Sequence, residues 1–448
     1  MKYLYAIIIG CALATSWNYG QEMTLGQCIR LGIDTTLSLA NAHIGIDKAR
    51  VNISQNRAKL LPIISGALQF TDYLKSPVNV TTGTLLGNDF PDNPTWQAIK
   101  TMQYNATMGI SFSMPLYDQQ TRASIAVAET LHKILSLSYD KAAQDLTVQI
   151  ARLYYMAQAS LEQTRLADEN ISHMKQLCNI TEALYTQGVI MEVDLNRVRI
   201  SLDNLESLHN QSLTLHNQQL NLLRFLLDMS PDSPLEVTPI DKTITPLHPT
   251  GLSTGLPSLL MSAQQHTMAE QQIKAVRASY LPTVSLVGYA GAMGYQEKFG
   301  HFFHTSSATD NWFANCHIGL SLRVPLFDAN IRKLQIRQLR HNAQQASNNA
   351  RQTQRQLQQE YANALLQLNH NTQQFETQSH NQRQAQEVYD LTIEQYKEGV
   401  ASMTALLQDE MQLRTAQTSC VQALCQCRLA QLELLRLSGA LSKLSQQP

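Results

Sequence analysis

Three landmarks occur twice in this chain, in the same order and at nearly the same offset. Arg57-Ala58-Lys59-Leu60-Leu61-Pro62 returns as Arg277-Ala278-Ser279-Tyr280-Leu281-Pro282. Ser111-Phe112-Ser113-Met114-Pro115-Leu116-Tyr117-Asp118 returns as Ser321-Leu322-Arg323-Val324-Pro325-Leu326-Phe327-Asp328. Tyr185-Thr186-Gln187-Gly188-Val189 returns as Tyr396-Lys397-Glu398-Gly399-Val400. Each half of the sequence is therefore one structural unit, used twice.

Glycine and proline placement describes that unit. Residues 119–187 and 189–230 contain neither, and 326–398 and 400–438 repeat the pattern. At about 1.5 Å per residue the longer arms, read as helices, approach roughly 100 Å. Globular helices typically run about 8–20 residues, so these must pack along their length as coiled coils. Leu195, Val198, Leu202, Leu205 and Leu208 recur at three- and four-residue steps, as a coiled coil requires. Gly188 and Gly399 sit where one helix gives way to the next. A glycine in the left-handed conformation terminates a helix at low cost, so both positions read as hairpin tips.

Between Pro62 and Pro115 the period changes from 3.6 to 2. Tyr104, Ala106, Met108, Ile110, Phe112 and Met114 alternate with Asn105, Thr107, Gly109, Ser111 and Ser113. The second half sets Cys316, Ile318, Leu320, Leu322 and Val324 against Asn315, His317, Gly319, Ser321 and Arg323. Ile64, Leu68, Phe70, Val284 and Leu286 mark weaker partner strands. Segments of about ten residues with one apolar and one polar face are what transmembrane β-barrels use. The sequence thus predicts two isolated hairpins, 63–115 and 283–325, bounded by Pro62, Pro115, Pro282 and Pro325. Polar loops near 75–103 and 296–311 form their tips. The expected division is a first repeat over 21–230, an irregular Pro-rich linker over 231–257, a second repeat over 258–438 and a frayed tail over 439–448.

The N-terminus reads as an export signal. Lys2 precedes an apolar run from Tyr3 to Ala14, too short to span a bilayer stably and suited to a secretory leader. Cleavage fits after Ala14 or Gly20, with residues 1–20 as the favoured leader. Ile8-Ile9-Gly10-Cys11 also makes Cys11 a candidate for lipidation. The remaining cysteines, Cys28, Cys178, Cys316, Cys420, Cys425 and Cys427, form no disulfide or metal framework, and the last three suit helix packing.

Other functions lack a basis. A formal net charge of −1 argues against nucleic-acid binding, which needs a clustered basic excess. No phosphate-binding loop, catalytic signature or paired zinc-ligand motif is present, so the sequence predicts no enzyme, cofactor or metal site. His301 and His304 have a metal-like spacing but sit in a predicted surface loop without further ligands.

The order helix, hairpin, long helix, tip, helix, linker, then the same again, resembles the TolC-like outer-membrane factors over essentially the whole mature chain. The residues carrying the resemblance are Met23 to Ile29, both Leu-Pro strand starts, both Pro-Leu-aromatic-Asp strand ends and both Tyr-x-x-Gly-Val tips. The resemblance implies a mixed α and β membrane protein, with a long coiled-coil α-helical barrel continuous with a transmembrane β-barrel shared by three chains. Four strands would come from each chain. It implies a homotrimer in outer-membrane lipid, a passive exit duct for efflux or type I secretion. Its partners would be a periplasmic adaptor docked at Gly188, Val189, Gly399 and Val400, and an inner-membrane transporter that supplies the energy. The alternative, from a different class, is an exported coiled-coil structural protein without a pore.

The pattern departs from the family at the tunnel entrance. Ala401, Ala405 and Gln408 occupy positions that are acidic or basic in well-known members, with Asp409 and Glu410 nearby, while Asp194 matches an acidic family position. Asp194, Gln408 and Asp409 are therefore the periplasmic gate candidates, and a gate held by hydrogen bonds and packing is expected in place of a charged lock.

Overall fold

The computed structural model describes residues 22–82, 96–244, 251–303 and 312–446. The leader 1–20 with Cys11, and His304, lie outside the described residues. The chain divides into two units, one made of residues 48–132 and 266–345, the other of the remainder.

The first unit is organised by one antiparallel sheet. Its strands are β2 (Ile63–Asp72), β5 (Tyr104–Tyr117), β7 (Thr283–Gln296) and β8 (Trp312–Arg323), in the order β2-β5-β7-β8. The expected two isolated hairpins are thus one continuous sheet, because β5 pairs with β7 from Tyr104↔Gln296 to Tyr117↔Val284. The predicted loop over 75–103 also holds a small hairpin, β3 (Val78–Thr82) against β4 (Trp96–Lys100). Pro62 and Pro282 immediately precede β2 and β7, and Pro325 follows the end of β8. Pro115 does not end its strand: β5 continues to Tyr117 through an irregularity at which Pro115 faces Ser285 and Tyr117 faces Val284. A proline has no N–H for the ladder, and such a bulge is one place where a strand tolerates it.

The register sorts side chains by face, since directly paired residues point the same way. One row is Ile64–Phe112–Gly288–Ile318, and the next are Gly66–Ile110–Ala290–Cys316 and Leu68–Met108–Ala292–Ala314. Met114–Leu286–Leu320, Val284–Leu322 and Phe70–Ala106–Gly294–Trp312 extend the same face. Its last row, at the loop end of the sheet, is Asp72–Tyr104–Gln296, where a charged and an amide side chain replace the apolar ones. The opposite face carries Ser65–Ser111–Tyr289–His317 and Gln69–Thr107–Met293–Phe313, a mixed and largely polar set.

The second unit is helical. It begins with β1 (Glu22–Met23) and α1 (Leu25–Thr35), whose start is closed by a reciprocal Thr24–Gln27 capping box. The long arms are α3 (Gln119–Thr186), α4 (Glu192–Leu226), α6 (Ile331–Lys397) and α7 (Met403–Ser438). Together with α2 (Leu37–Ala58) and α5 (Pro257–Ala278), α3 and α6 contribute residues to both units. No helix among the described residues is long and apolar enough to cross a membrane.

The buried residues of α7 show why these helices pair. Met403, Leu406, Glu410, Leu413, Gln417, Cys420, Leu424, Cys427, Gln431 and Leu434 are buried in alternating three- and four-residue steps. That seven-residue repeat keeps one seam facing its neighbours. Near the tips the seam meets Ile171 and Met174 of α3, Val198 and Leu205 of α4, and Tyr389 of α6. Further along, Asn170 Nδ2 donates to Gln417 Oε1 at 2.8 Å, and Ser160 Oγ donates to Gln219 Oε1 at 2.7 Å. Such polar seam pairs fix register, because any slip would strand them. Cys420, Cys425 and Cys427 are free and buried, as a packing role requires.

Parts of two segments expected to be irregular take regular structure. In the linker, β6 (Glu236–Val237) pairs in parallel with β1, and Leu235 and Val237 join a core that includes Ile29, Ile150 and Leu223. Tyr154 ties this junction down, its hydroxyl donating to the Met23 carbonyl at 2.8 Å and lying 2.7 Å from Thr238 Oγ1. The tail does not fray over 441–446. After Gly439 closes α7 at φ 72°, Leu441–Gln446 forms a 3-10 helix whose Leu441 and Leu444 enter the same core. Buried leucines outweigh the weak local signal that made the segment read as loose.

Candidate functional site

The helix turns at the far end of α3/α4 and α6/α7 are built alike. Gly188 has φ 73° and Gly399 φ 77°. The Gly188 and Val189 N–H groups donate to the carbonyls of Tyr185 and Leu184 at 2.9 and 3.0 Å. Those of Gly399 and Val400 donate to Tyr396 and Gln395 at 3.0 and 2.9 Å. These are paired Schellman closures, which satisfy the last helical carbonyls and need a left-handed residue. Ser402 then caps α7 by accepting from the Ala405 N–H. Beyond each glycine the chain exposes apolar side chains: Val189 is 65% exposed, Met191 74% and Val400 75%. Side chains this open, repeated on two tips, form a surface with no partner among the described residues.

Just behind the tips lie the gate candidates. Asp194 Oδ1 accepts from Arg197 Nη1 at 3.0 Å, and the same Arg197 atom donates to Thr404 Oγ1 at 3.2 Å, linking α4 to α7. Thr392 Oγ1 donates to Asp409 Oδ2 at 2.7 Å, linking α6 to α7. Gln408 is exposed. Sequence reasoning missed Arg197, Thr392 and Thr404, whose roles depend on side chains reaching across helices. His301 falls in a 3-10 turn, Phe299–Phe303, and no metal-binding cluster occurs among the described residues.

Glu410 is the most unusual group here. It occupies a seam position between Leu406 and Leu413, is 7% exposed, and its Oε1 has no hydrogen-bond partner among the described residues. Extending the α7 repeat through residue 410 would have found it. Burial pushes its carboxyl above the ordinary 4.5, with Arg414 acting in the opposite sense. A carboxyl whose folded pKa is raised stabilises the fold least where the unfolded chain is already ionised. Stability should therefore be greatest below about 4.5 and fall as pH rises through the folded value. Glu410→Gln should remove this part of the pH dependence. Thermal unfolding of wild type and variant over an acid-to-neutral series checks it; parallel curves would show that Glu410 does not titrate between the two states.

Comparison with known proteins fits this architecture. The profile of the "Outer membrane efflux protein" family matches residues 33–227 and 255–440. The chain is 25% identical to the probable efflux pump outer membrane protein TtgC of Pseudomonas putida, over 94% of this chain and 83% of that protein. Its fold is similar to that of the outer membrane protein VceC of Vibrio cholerae, with a TM-score of 0.75 at 17% identity, covering 92% of this chain and 96% of the other. The Campylobacter jejuni outer membrane channel CmeC is comparable, with a TM-score of 0.74 at 16% identity over 95% and 91% of the two chains. Long helices in two repeats, a four-stranded sheet with one largely apolar face, and a family match over both halves agree: the chain belongs to the outer membrane efflux protein family.

Proposed function

We propose that three copies of this chain pool their strands into one barrel and form a passive exit duct that docks at its helical tips with a periplasmic adaptor, itself served by an inner-membrane transporter. The observation that carries the reading is the sheet: β2 and β8 are its edges, and neither has a further strand partner among the described residues. In hydrocarbon each unpaired backbone group costs several kcal/mol, so an open edge cannot face lipid. Four strands are too few to close alone, since the smallest single-chain barrels have about eight, whereas three chains supply roughly twelve. A pore-free coiled coil would have no use for a sheet with one face apolar over most of its length. Under this reading 1–20 is the export leader, and 21–230 and 258–438 are the two working repeats.

The tips then meet the adaptor. Two similar tips per chain give a pseudo-sixfold ring in a trimer, and each docked copy raises the effective concentration for the next. The Asp194–Arg197–Thr404 and Thr392–Asp409 contacts hold the entrance narrow by hydrogen bonds, and Gln408 lines it.

Gly188→Trp and Gly399→Trp should abolish export while trimers still form. A Cβ at either position meets nothing within 4 Å, so the folding cost is limited to left-handed strain of about 1–2 kcal/mol. Gly188→Asn and Gly399→Asn, small and tolerant of that conformation, should keep export. Adaptor crosslinking and trimer yield on the same variants separate the outcomes. Tryptophan variants that crosslink and export normally would remove the tips from the mechanism.

A further inference from the structure

All four junctions between sheet and helices fall at the same end of the sheet, since β2 and β7 begin there and β5 and β8 end there. Each joins an exposed apolar side chain to an exposed basic one. Lys59 precedes Leu61; Leu116 and Tyr117 precede Arg122; Arg277 precedes Tyr280 and Leu281; Leu326 and Phe327 precede Lys333. Leu326 is 92% exposed and Phe327 85%, far more than one chain has reason to leave in water.

The nearby acids are already committed. Asp118 accepts from the Thr121 N–H at 3.0 Å and its Oγ1 at 2.6 Å, capping α3. Asp328 accepts from the Arg332 N–H at 3.2 Å, and Glu129 pairs with Arg57 at 2.7 Å. Lys59, Arg122, Arg277 and Lys333 make no ion pair among the described residues, Lys59 reaching only Asn56 Oδ1 at 2.9 Å. The junctions therefore present uncompensated positive charge next to apolar anchors, continuous with the apolar sheet face.

We propose that this collar binds anionic phospholipid at the membrane surface, with headgroup phosphates on the four basic side chains and acyl chains against the Leu and Phe anchors. Basic side chains beside a membrane-inserted segment attract anionic headgroups, and long ones reach the interface while their stems stay in apolar surroundings. The proposal rests on the apolar sheet face meeting lipid.

The test uses the full-length protein in mild detergent, incubated with equal phosphatidylglycerol and phosphatidylcholine, washed, and analysed for retained lipid by native mass spectrometry. Wild type should retain phosphatidylglycerol preferentially, and excess inorganic phosphate should not displace it. The combined Lys59→Gln, Arg122→Gln, Arg277→Gln and Lys333→Gln variant should lose at least about tenfold of that preference. Arg351→Gln with Arg355→Gln, exposed positions further along α6, should not. Equal retention by the four-site variant overturns the collar. So does loss of assembly in the single variants Arg122→Gln and Arg277→Gln, which would make these side chains contacts between copies. Assembled protein that shows no lipid preference defeats the collar alone, whereas protein that never inserts defeats the duct reading as well.

Discussion

Ile110→Arg or Leu320→Arg should leave the protein unassembled in the membrane, while Ser111→Arg or Ser321→Arg should be tolerated far better. Ile110 lies in the row Gly66–Ile110–Ala290–Cys316 and Leu320 in the row with Met114 and Leu286, both on the apolar face. They are 57% and 70% exposed, so the fold of one chain has no need of their hydrophobicity. Lipid does. An arginine at the bilayer midplane costs about 2–4 kcal/mol on a barrel exterior, and under the proposed three-copy assembly that cost is borne three times. Ser111 and Ser321 point the other way. Ser111 Oγ is 2.7 Å from Ser65 Oγ and donates to the Ser65 carbonyl at 3.3 Å, so its replacement gives up only exposed contacts between neighbouring strands. Membrane fractionation of the four variants, with total expression as control, measures the difference. Equal assembly of both pairs would show that the faces are assigned the wrong way or that the sheet is not in lipid.

Much of this architecture is written in the sequence, because its strongest constraints are periodic. The glycine- and proline-free tracts become α3, α4, α6 and α7, and the tip glycines adopt the left-handed backbone their recurrence suggested. Alternation in 104–114 and 315–324 assigned most of the sheet's faces. What periodicity could not show was pairing between distant elements. Nothing in residues 104–117 and 283–296 announces that they bond to each other, and the sheet therefore read as two hairpins. Gly109 read as a small residue on its strand, yet it makes room for Tyr289, as does Gly291. A Cβ on Gly109 or Gly291 would lie 2.5 or 2.6 Å from the Tyr289 hydroxyl. Short β pairs such as β1 with β6 carry too few residues for any pattern. The tip contacts were missed for a related reason: Arg197 and Thr404 are ordinary helix-surface residues until two helices place them 3.2 Å apart.

The central claim is that one chain is a third of a barrel. The open edges of β2 and β8 make the expected effect all or none, since a single sheet in lipid would leave two rows of backbone groups unsatisfied. In water the exposed apolar face, from Ile64 at one edge to Ile318 at the other, would drive aggregation. Detergent should therefore be required throughout purification, and cutting its supply should precipitate the protein. Light scattering that resolves protein mass from bound detergent measures this most directly. One species with three times the mass of a single mature chain is expected, present only in detergent; a monodisperse monomer, soluble without it, would overturn the shared barrel.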